Sequence, residues 1–191
     1  MSMARGQLVV ISGPSGAGKT SVCRALKQRP NVEFSVSATT RPMRTGEREG
    51  IDYHFLSRED FQRRLAENQF LEWATYNGHL YGTPRWPMDQ ALARGATFLV
   101  EIEVKGTRQL RERGITGLYV FIAPPSIDEL RRRLLHRGSN DAVEIEQRVR
   151  IAEDELAAAR ETVAGAPLYD VILENRDLDA TIRKVEEMLW G

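Results

Sequence analysis

Apolar and polar positions alternate in blocks along this chain. Gln7–Ser12 (QLVVIS), Thr97–Val104 (TFLVEIEV), Leu118–Ala123 (LYVFIA) and Tyr169–Leu173 (YDVIL) are short, nearly continuous apolar runs. That is the pattern of strands buried on both faces. Glu33–Ala38 and Phe70–Tyr76 also read as strands, and Asn77-Gly78 as a turn. Helical stretches fall between them: Lys19 to Gln28, and Ser57 to about Asn68, opened by the capping box Ser57-Arg-Glu-Asp60. Further helices are expected over Pro84–Arg94, closed by Gly95, and over Lys105–Arg113, closed by Gly114. Ser126 caps another, which Gly138-Ser-Asn-Asp141 interrupts before a long helix to about Ala164. Leu178–Trp190 is the last.

Strands separated by helices predict an α/β fold, a parallel sheet flanked by helices. The segments about 37–83 and 127–162 are polar-rich and not needed for that sheet. They are expected to be lobes that close over ligands, inserted into a core of about 1–36, 84–126 and 163–191.

The chain has 191 residues, which fits a single domain able to bury a core of its own. Its 41% hydrophobic and 28% charged residues argue against long disorder. Lys+Arg 27 and Asp+Glu 27 cancel, so a broad cationic nucleic-acid face is not expected. Of the 27 basic residues, 23 are Arg. Base composition alone can cause that excess, and so can phosphate binding, where the planar guanidinium fork excels. A single cysteine, Cys23, excludes an internal disulfide and reads as a small buried residue. No apolar run approaches the roughly 18 residues of a membrane span, and residues 1–6 hold no signal region. A cytoplasmic protein without nucleic-acid or membrane partners is the expectation.

The strongest motif is Gly13-Pro14-Ser15-Gly16-Ala17-Gly18-Lys19-Thr20, a full match to the phosphate loop G-x-x-x-x-G-K-S/T. It directly follows an apolar strand and directly precedes a helix, as the motif requires. The glycines let backbone N–H groups turn inward as an anion nest, and the helix N-terminus adds partial positive charge. Lys19 can reach the β- and γ-phosphates, and Thr20 can ligate Mg²⁺. ATP with Mg²⁺ is the expected ligand. The guanine-reading N-K-x-D of a GTPase and the S-G-G-Q of a transporter ATPase are both missing, and the size favours a small-molecule kinase.

Candidate acceptor residues follow. Arg41 and Arg44, three apart, and Tyr53 could wrap a terminal phosphate. Phe70-Leu-Glu72-Trp73 and Tyr81-Gly82-Thr83 mix a carboxylate with aromatic walls suited to a base. Guanine offers N1–H and N2–H₂ as paired donors. Glu72 is the candidate reader and Glu101 the second, and Thr83 could donate to O6.

These pieces, with Ser37-x-x-x-Arg41-x-x-Arg44-x-Gly46-Glu47, Gly50-x-Asp52-Tyr53 and Ile122-Ala-Pro-Pro-Ser126, occur in the order seen in guanylate kinases. From about residue 7 to its end the chain resembles that family. The resemblance implies a phosphate-loop NTPase fold with a GMP-binding lobe and a lid. It also implies transfer of the γ-phosphate of ATP to GMP, and to dGMP, with Mg²⁺. By position, Arg41, Arg44, Tyr53 and Tyr81 would hold the GMP phosphate. Ser37, Glu72, Thr83 and Glu101 would recognise guanine, with Glu103 beside them. Arg133, Arg137 and Arg148 would act from the lid, and Asn175 would lie near adenine. Arg131, Arg132 and Arg150 read instead as a solvated face paired with Asp128, Glu144 and Glu146. The sequence departs from the family pattern at Glu103 (usually Asp), Lys105 (often Gln) and His79 (more often Asn). A monomer or homodimer is expected. Two rivals remain: a catalytically silent guanylate-kinase-like interaction module, against which the intact loop argues, and a sugar-phosphate kinase, against which Glu72 and Thr83 argue.

Overall fold

The computed structural model describes residues 6–136 and 142–191. In chain order its elements are β1 (Gln7–Ser12), α1 (Lys19–Leu26), β2 (Val32–Phe34), β3 (Ala38–Thr39), β4 (His54–Phe55), α2 (Arg58–Ala66), β5 (Phe70–Tyr76), β6 (His79–Pro84), α3 (Trp86–Ala93), β7 (Thr97–Glu101), α4 (Val104–Glu112), β8 (Leu118–Ala123), α5 (Ile127–His136), α6 (Ala142–Ala158), β9 (Thr162–Val163), β10 (Ala166–Pro167), β11 (Val171–Glu174) and α7 (Leu178–Trp190).

The main sheet is parallel, with spatial order β11-β8-β1-β7-β2. Successive strand residues point to opposite faces, and the core divides accordingly. Leu8, Val10, Phe98, Val100, Tyr119 and Phe121 pack on one side with Val104 and Leu110 of α4. Val9, Ile11, Leu99, Val120 and Ile122 pack on the other with Val22, Cys23 and Leu26 of α1 and Val185 of α7. From β1 the chain moves to β2 and β7 on one side, then crosses to β8 and β11 on the other. The carboxyl end of β1 is therefore the topological switch point, where open α/β sheets bind ligands.

A second sheet, order β4-β3-β6-β5, carries residues 38–84. Asn77 (φ 47°) and Gly78 (φ 77°) make the left-handed turn between β5 and β6. The sheet has its own small core of Ala38, Phe61, Phe70 and Leu80. The rings of Phe61 and Phe70 stack at 4.2 Å. Ser57 caps α2 as expected, its Oγ accepting from the Asp60 N–H at 3.0 Å.

Four elements differ from the sequence reading. The expected strand Glu33–Ala38 is divided between two sheets, β2 in one and β3 in the other, because the chain changes sheet at Ser35–Ser37. β6 lay partly in an unassigned stretch, and Pro84 ends it rather than opening a helix. The strand expected to reach Val104 ends at Glu101. The long helix ends at Ala158, not Ala164, and the β9–β10 hairpin follows through left-handed Ala164 and Gly165. The expected interruption at 138–141 lies outside the described residues. Among the described residues no helix is long and apolar enough to cross a membrane.

Because the second sheet packs around its own cluster, Phe61→Ala should destabilise it by about 3–5 kcal/mol. In hydrogen exchange, amides of β3, β5 and β6 are expected to lose protection while β1, β7 and β8 keep theirs. Equal loss in both sheets would contradict separate packing.

Candidate active site

The phosphate loop caps the carboxyl end of β1. Two of its glycines are required by close approaches. A Cβ on Gly13 (φ 139°) would lie 2.2 Å from the Ile122 carbonyl oxygen, and one on Gly18 (φ 101°) 2.3 Å from Asn175 Nδ2. Lys19 Nζ donates to the carbonyls of Gly13 (2.6 Å) and Pro14 (3.0 Å). Burial pulls the Lys19 ammonium below its ordinary pKa, against the fields of Glu101, Glu155 and Glu103. Beside it, Thr20 Oγ1 donates to Glu101 Oε1 at 2.8 Å.

Two further expected site residues bond to this loop and the start of its helix. Glu101 was read as a second guanine contact. The structure places its carboxylate on Thr20, at the phosphate end of the site, because β7 ends there and aligns with Ile11 of β1. Asn175 was expected near adenine. It is buried, its Nδ2 donates to the Ala17 carbonyl at 2.7 Å, and its Oδ1 accepts from Thr181 Oγ1 at 3.1 Å. Both ends of the amide thus serve the loop and α7.

The acceptor side gathers on the second sheet. Arg41, just after β3, forms a bidentate pair with Glu47, at 2.6 and 3.0 Å. Glu47 also accepts from the Arg44 backbone N–H at 2.7 Å, which closes the loop between them. Arg41 and then the Arg44 amide hold the Glu47 carboxyl below its ordinary pKa. The Arg41 guanidinium lies 5.5 Å from the Tyr53 ring centre, and Tyr53 meets Tyr81 edge-on at 6.1 Å. The Arg44 side chain is exposed at the loop's outer edge. Ser37 is half-buried, and its carbonyl accepts from the His54 N–H at 2.8 Å.

Glu72 and Thr83 face each other in the β5–β6 register, and Thr83 Oγ1 donates to Glu72 Oε1 at 2.6 Å. Thr83 was expected to donate to a base oxygen. A hydroxyl has one hydrogen, and here it lies on Glu72, so Thr83 retains only acceptor capacity. Burial raises the Glu72 pKa, opposed by Thr83 and aided by Glu103. Glu103 is exposed at the start of α4, makes no capping bond, and adds its negative field at Lys19, Glu72 and Glu155.

Two of the arginines expected to act from a lid rest on acids one helical turn away. Arg133 Nε bonds Glu129 at 2.8 Å, and its other end reaches the Asn175 carbonyl at 3.1 Å. Arg148 bonds Glu144 at 2.7 Å. Arg137 lies outside the described residues. Arg131 pairs with Glu146 and Asp128, and Arg132 with Glu129, as surface pairs. Leu130 and Leu134 of α5 back onto Gly16, so this helix touches the phosphate loop directly.

The sequence profile of the guanylate kinase family matches residues 5–191. The chain belongs to the guanylate kinase family. It is 42% identical over 188 residues to a guanylate kinase of Carboxydothermus hydrogenoformans, covering 98% of this chain and 89% of that one. It is 45% identical over 187 residues to one of Thermosynechococcus vestitus, covering 97% and 94%. The crystal structure of guanylate kinase from Anaplasma phagocytophilum superposes with a TM-score of 0.69 at 30% identity, over 97% of this chain and 85% of that one. The fold is therefore the phosphate-loop NTPase fold of a nucleoside monophosphate kinase family.

Two residues beside the site were given no role from the sequence, Glu47 appearing there only within the family pattern. Glu47 is six positions from Arg41 in a loop, a spacing that matches no helix or strand period. Glu155 lies seven residues after Arg148, two turns along α6 and on the same face, so its spacing carried a signal. Burial pushes the Glu155 carboxyl up to about 7, with Lys19 and Lys105 opposing and Glu103 adding to the rise. The unfolded chain releases this proton near the ordinary 4.5. Between those values the folded state holds more protons, so stability falls as pH rises. Glu155→Gln should therefore resist urea better than the native protein at pH 8, with the gap closing toward pH 5. A constant gap across that range would contradict the assignment.

Proposed function

We propose that this chain is an ATP:GMP phosphotransferase with two substrates facing each other across the end of β7. The observation that carries the reading is Glu72. It is a largely buried carboxylate in the acceptor site, and among the described residues only Thr83 supplies it with hydrogen bonds. Guanine N1–H and N2–H₂ complete its shell. Adenine, with an acceptor at N1, does not. The Arg41–Tyr53–Tyr81 cluster, with Arg44 at the loop edge, then meets the GMP phosphate. Thr83 keeps Glu72 oriented and can accept from N2–H₂, while Ser37 lines the same lobe.

Residues 13–20 hold the ATP phosphates. Thr20 and Glu101 fit Mg²⁺, being hard oxygen donors. The bond from Thr20 to Glu101 leaves the hydroxyl lone pairs available. Among the described residues no group of three or more His, Cys, Asp or Glu could hold a metal alone, which suits Mg²⁺ carried in on nucleotide phosphates. When bound, it neutralises charge on those phosphates.

Transfer is in line. An oxygen of the GMP phosphate forms the new bond to Pγ as the bond from Pγ to the ADP oxygen breaks. Positioning and charge stabilisation do most of this work. Lys19 exchanges the loop carbonyls for phosphate oxygens. Arg133 and Arg148 exchange Glu129 and Glu144 for phosphate when α5 and α6 close, which also excludes water. The catalytically silent reading has no support. Lys19, Thr20 and the acceptor residues are all present, and the relatives described above bear the name guanylate kinase.

ADP formation with MgATP should be strong with GMP and weak with AMP, CMP or UMP. Equal rates with AMP would sink the assignment. Lys19→Ala should lose activity without loss of fold by circular dichroism. Glu72→Gln should weaken GMP binding by about 1–3 kcal/mol, read as a raised KM for GMP with KM for ATP unchanged.

A further inference from the structure

Helix α4 starts three residues beyond the end of β7 and is bonded into the main core by Val104 and Leu110. A neighbouring stripe of the helix, Gly106, Gln109 and Arg113 at i, i+3 and i+7, faces the second sheet instead. Three sets of contacts run from this stripe to β5. The Gln109 side-chain amide accepts from the Trp73 N–H at 3.1 Å and donates to the Trp73 carbonyl at 2.9 Å. β5 is an edge strand, and Gln109 pairs with its outer backbone groups as a further strand would. The Arg113 guanidinium donates to the carbonyls of Phe70 (2.7 Å) and Leu71 (2.9 Å). Those two carbonyls flank the irregularity in β5, where the register shifts between Phe70 and Glu72. Gly106 makes the third contact. A Cβ there would lie 2.9 Å from Glu72 Oε2 and 3.1 Å from its Cγ. The Glu72 side chain thus rests on bare helix backbone.

All three sets bracket one residue. Glu72 is fixed before it by Arg113, after it by Gln109, and along its side chain by Gly106. Its Oε1 is taken by Thr83. Glycine inside a helix is a poor choice for stability, and its φ is not in the left-handed region that would otherwise require it. The close approach of Glu72 gives the position its reason.

We propose that Gly106, Gln109 and Arg113 are positioning residues that hold the Glu72 carboxylate in register with the 2-amino edge of the purine, so that α4 sets base discrimination. The inference rests on Glu72 being the guanine reader. Two parallel hydrogen bonds need both carboxylate oxygens in plane with N1–H and N2–H₂. A displacement of a few tenths of an ångström weakens the pair, and its discriminating half is the bond to the 2-amino group. The hypoxanthine analogue, IMP, keeps N1–H and lacks that group. A displaced Glu72 therefore loses GMP against IMP more than it loses both.

The test compares kcat/KM for GMP and IMP, KM for ATP, and Tm in the native protein, Gly106→Ala, Gln109→Leu and Glu72→Gln. Gly106→Ala is expected to keep or raise Tm, since alanine favours a helix, yet to lower the GMP/IMP ratio at least about tenfold, the worth of one charge-assisted hydrogen bond. Gln109→Leu is expected to lower the ratio with KM for ATP unchanged. If Gly106→Ala lowers Tm, the ratio in Gln109→Leu decides. An unchanged ratio in the α4 variants, with a lowered ratio in Glu72→Gln, overturns the role of α4 and leaves Glu72 as reader. An unchanged ratio in Glu72→Gln overturns the guanine reading and the inference with it.

Discussion

A loop that turns its amides inward around an anion leaves carbonyls pointing outward, and those need partners of their own. In this chain the Ala17 carbonyl finds Asn175 Nδ2 at 2.7 Å, in the space a side chain on Gly18 would fill. Asn175 is in turn fixed on every side. Its N–H bonds the Ala123 carbonyl at the end of β8, its Oδ1 takes the Thr181 hydroxyl of α7, and its own carbonyl takes Arg133 of α5. One buried residue, through its side chain and its backbone together, therefore ties the phosphate loop to the sheet, the last helix and α5 at once. The placement of Lys19 and Thr20 follows from that, because both begin the helix that the loop delivers.

The balance of 27 basic and 27 acidic residues takes on a local meaning in the structure. Arg41 lies on Glu47, Arg133 on Glu129 and Arg148 on Glu144. Around Lys19 stand Glu101, Glu103 and Glu155. Pairs open to solvent, such as Arg148 with Glu144, contribute little to stability, and Arg41 with Glu47 is the most enclosed of the three. If Arg41, Arg133 and Arg148 are the phosphate-binding groups proposed, these acids hold their guanidinium groups in place until phosphate oxygens arrive. A phosphate presents the same bidentate acceptor geometry as a carboxylate, so binding becomes an exchange of partners rather than the capture of an anion by a bare positive field. Zero net charge is compatible with two anionic substrates for that reason. The acids that keep the arginines ordered also compete with the substrates, which limits the affinity of the open form.

The main sheet was readable because its strands are continuous apolar runs between glycine and proline. β1, β8 and α7 have the bounds that their residues suggest. The phosphate loop was readable because its residues are contiguous. What failed depended on partners distant in sequence. Residues 33–38 have one uniform strand pattern, yet they serve two sheets, since only the pairing of β2 with β7 and of β3 with β6 divides them. β6 contains Gly82 and Pro84, poor strand residues, and exists because β5 pairs with it. Glu101 and Glu103 look equivalent in the sequence, but the strand ends at the first, whose carboxylate takes the Thr20 hydroxyl, while the second lies beyond it at the start of α4. For Asn175, the resemblance implies a place near adenine, and the fold adds that its side-chain amide bonds Ala17 and Thr181.

The segment from Glu101 to Gly106 lies between the two halves of the site. Its first residue contacts Thr20 at the phosphate loop, the charge of its third acts on Lys19, Glu72 and Glu155, and its last lies against Glu72. Five peptide bonds thus span the donor and acceptor sides. If Glu72 reads the base, the separation between the base reader and the phosphate loop is fixed by covalent geometry and by a helix rooted in the main core. It is not set by how far any lobe closes. In the proposed mechanism, closure of α5 and α6 then has one remaining task, to bring arginines onto phosphates whose positions are already determined. That division places the precision in the rigid part of the molecule and the motion in side chains that need only charge. It is the arrangement expected where the rate depends on near-attack alignment of two bound nucleotides.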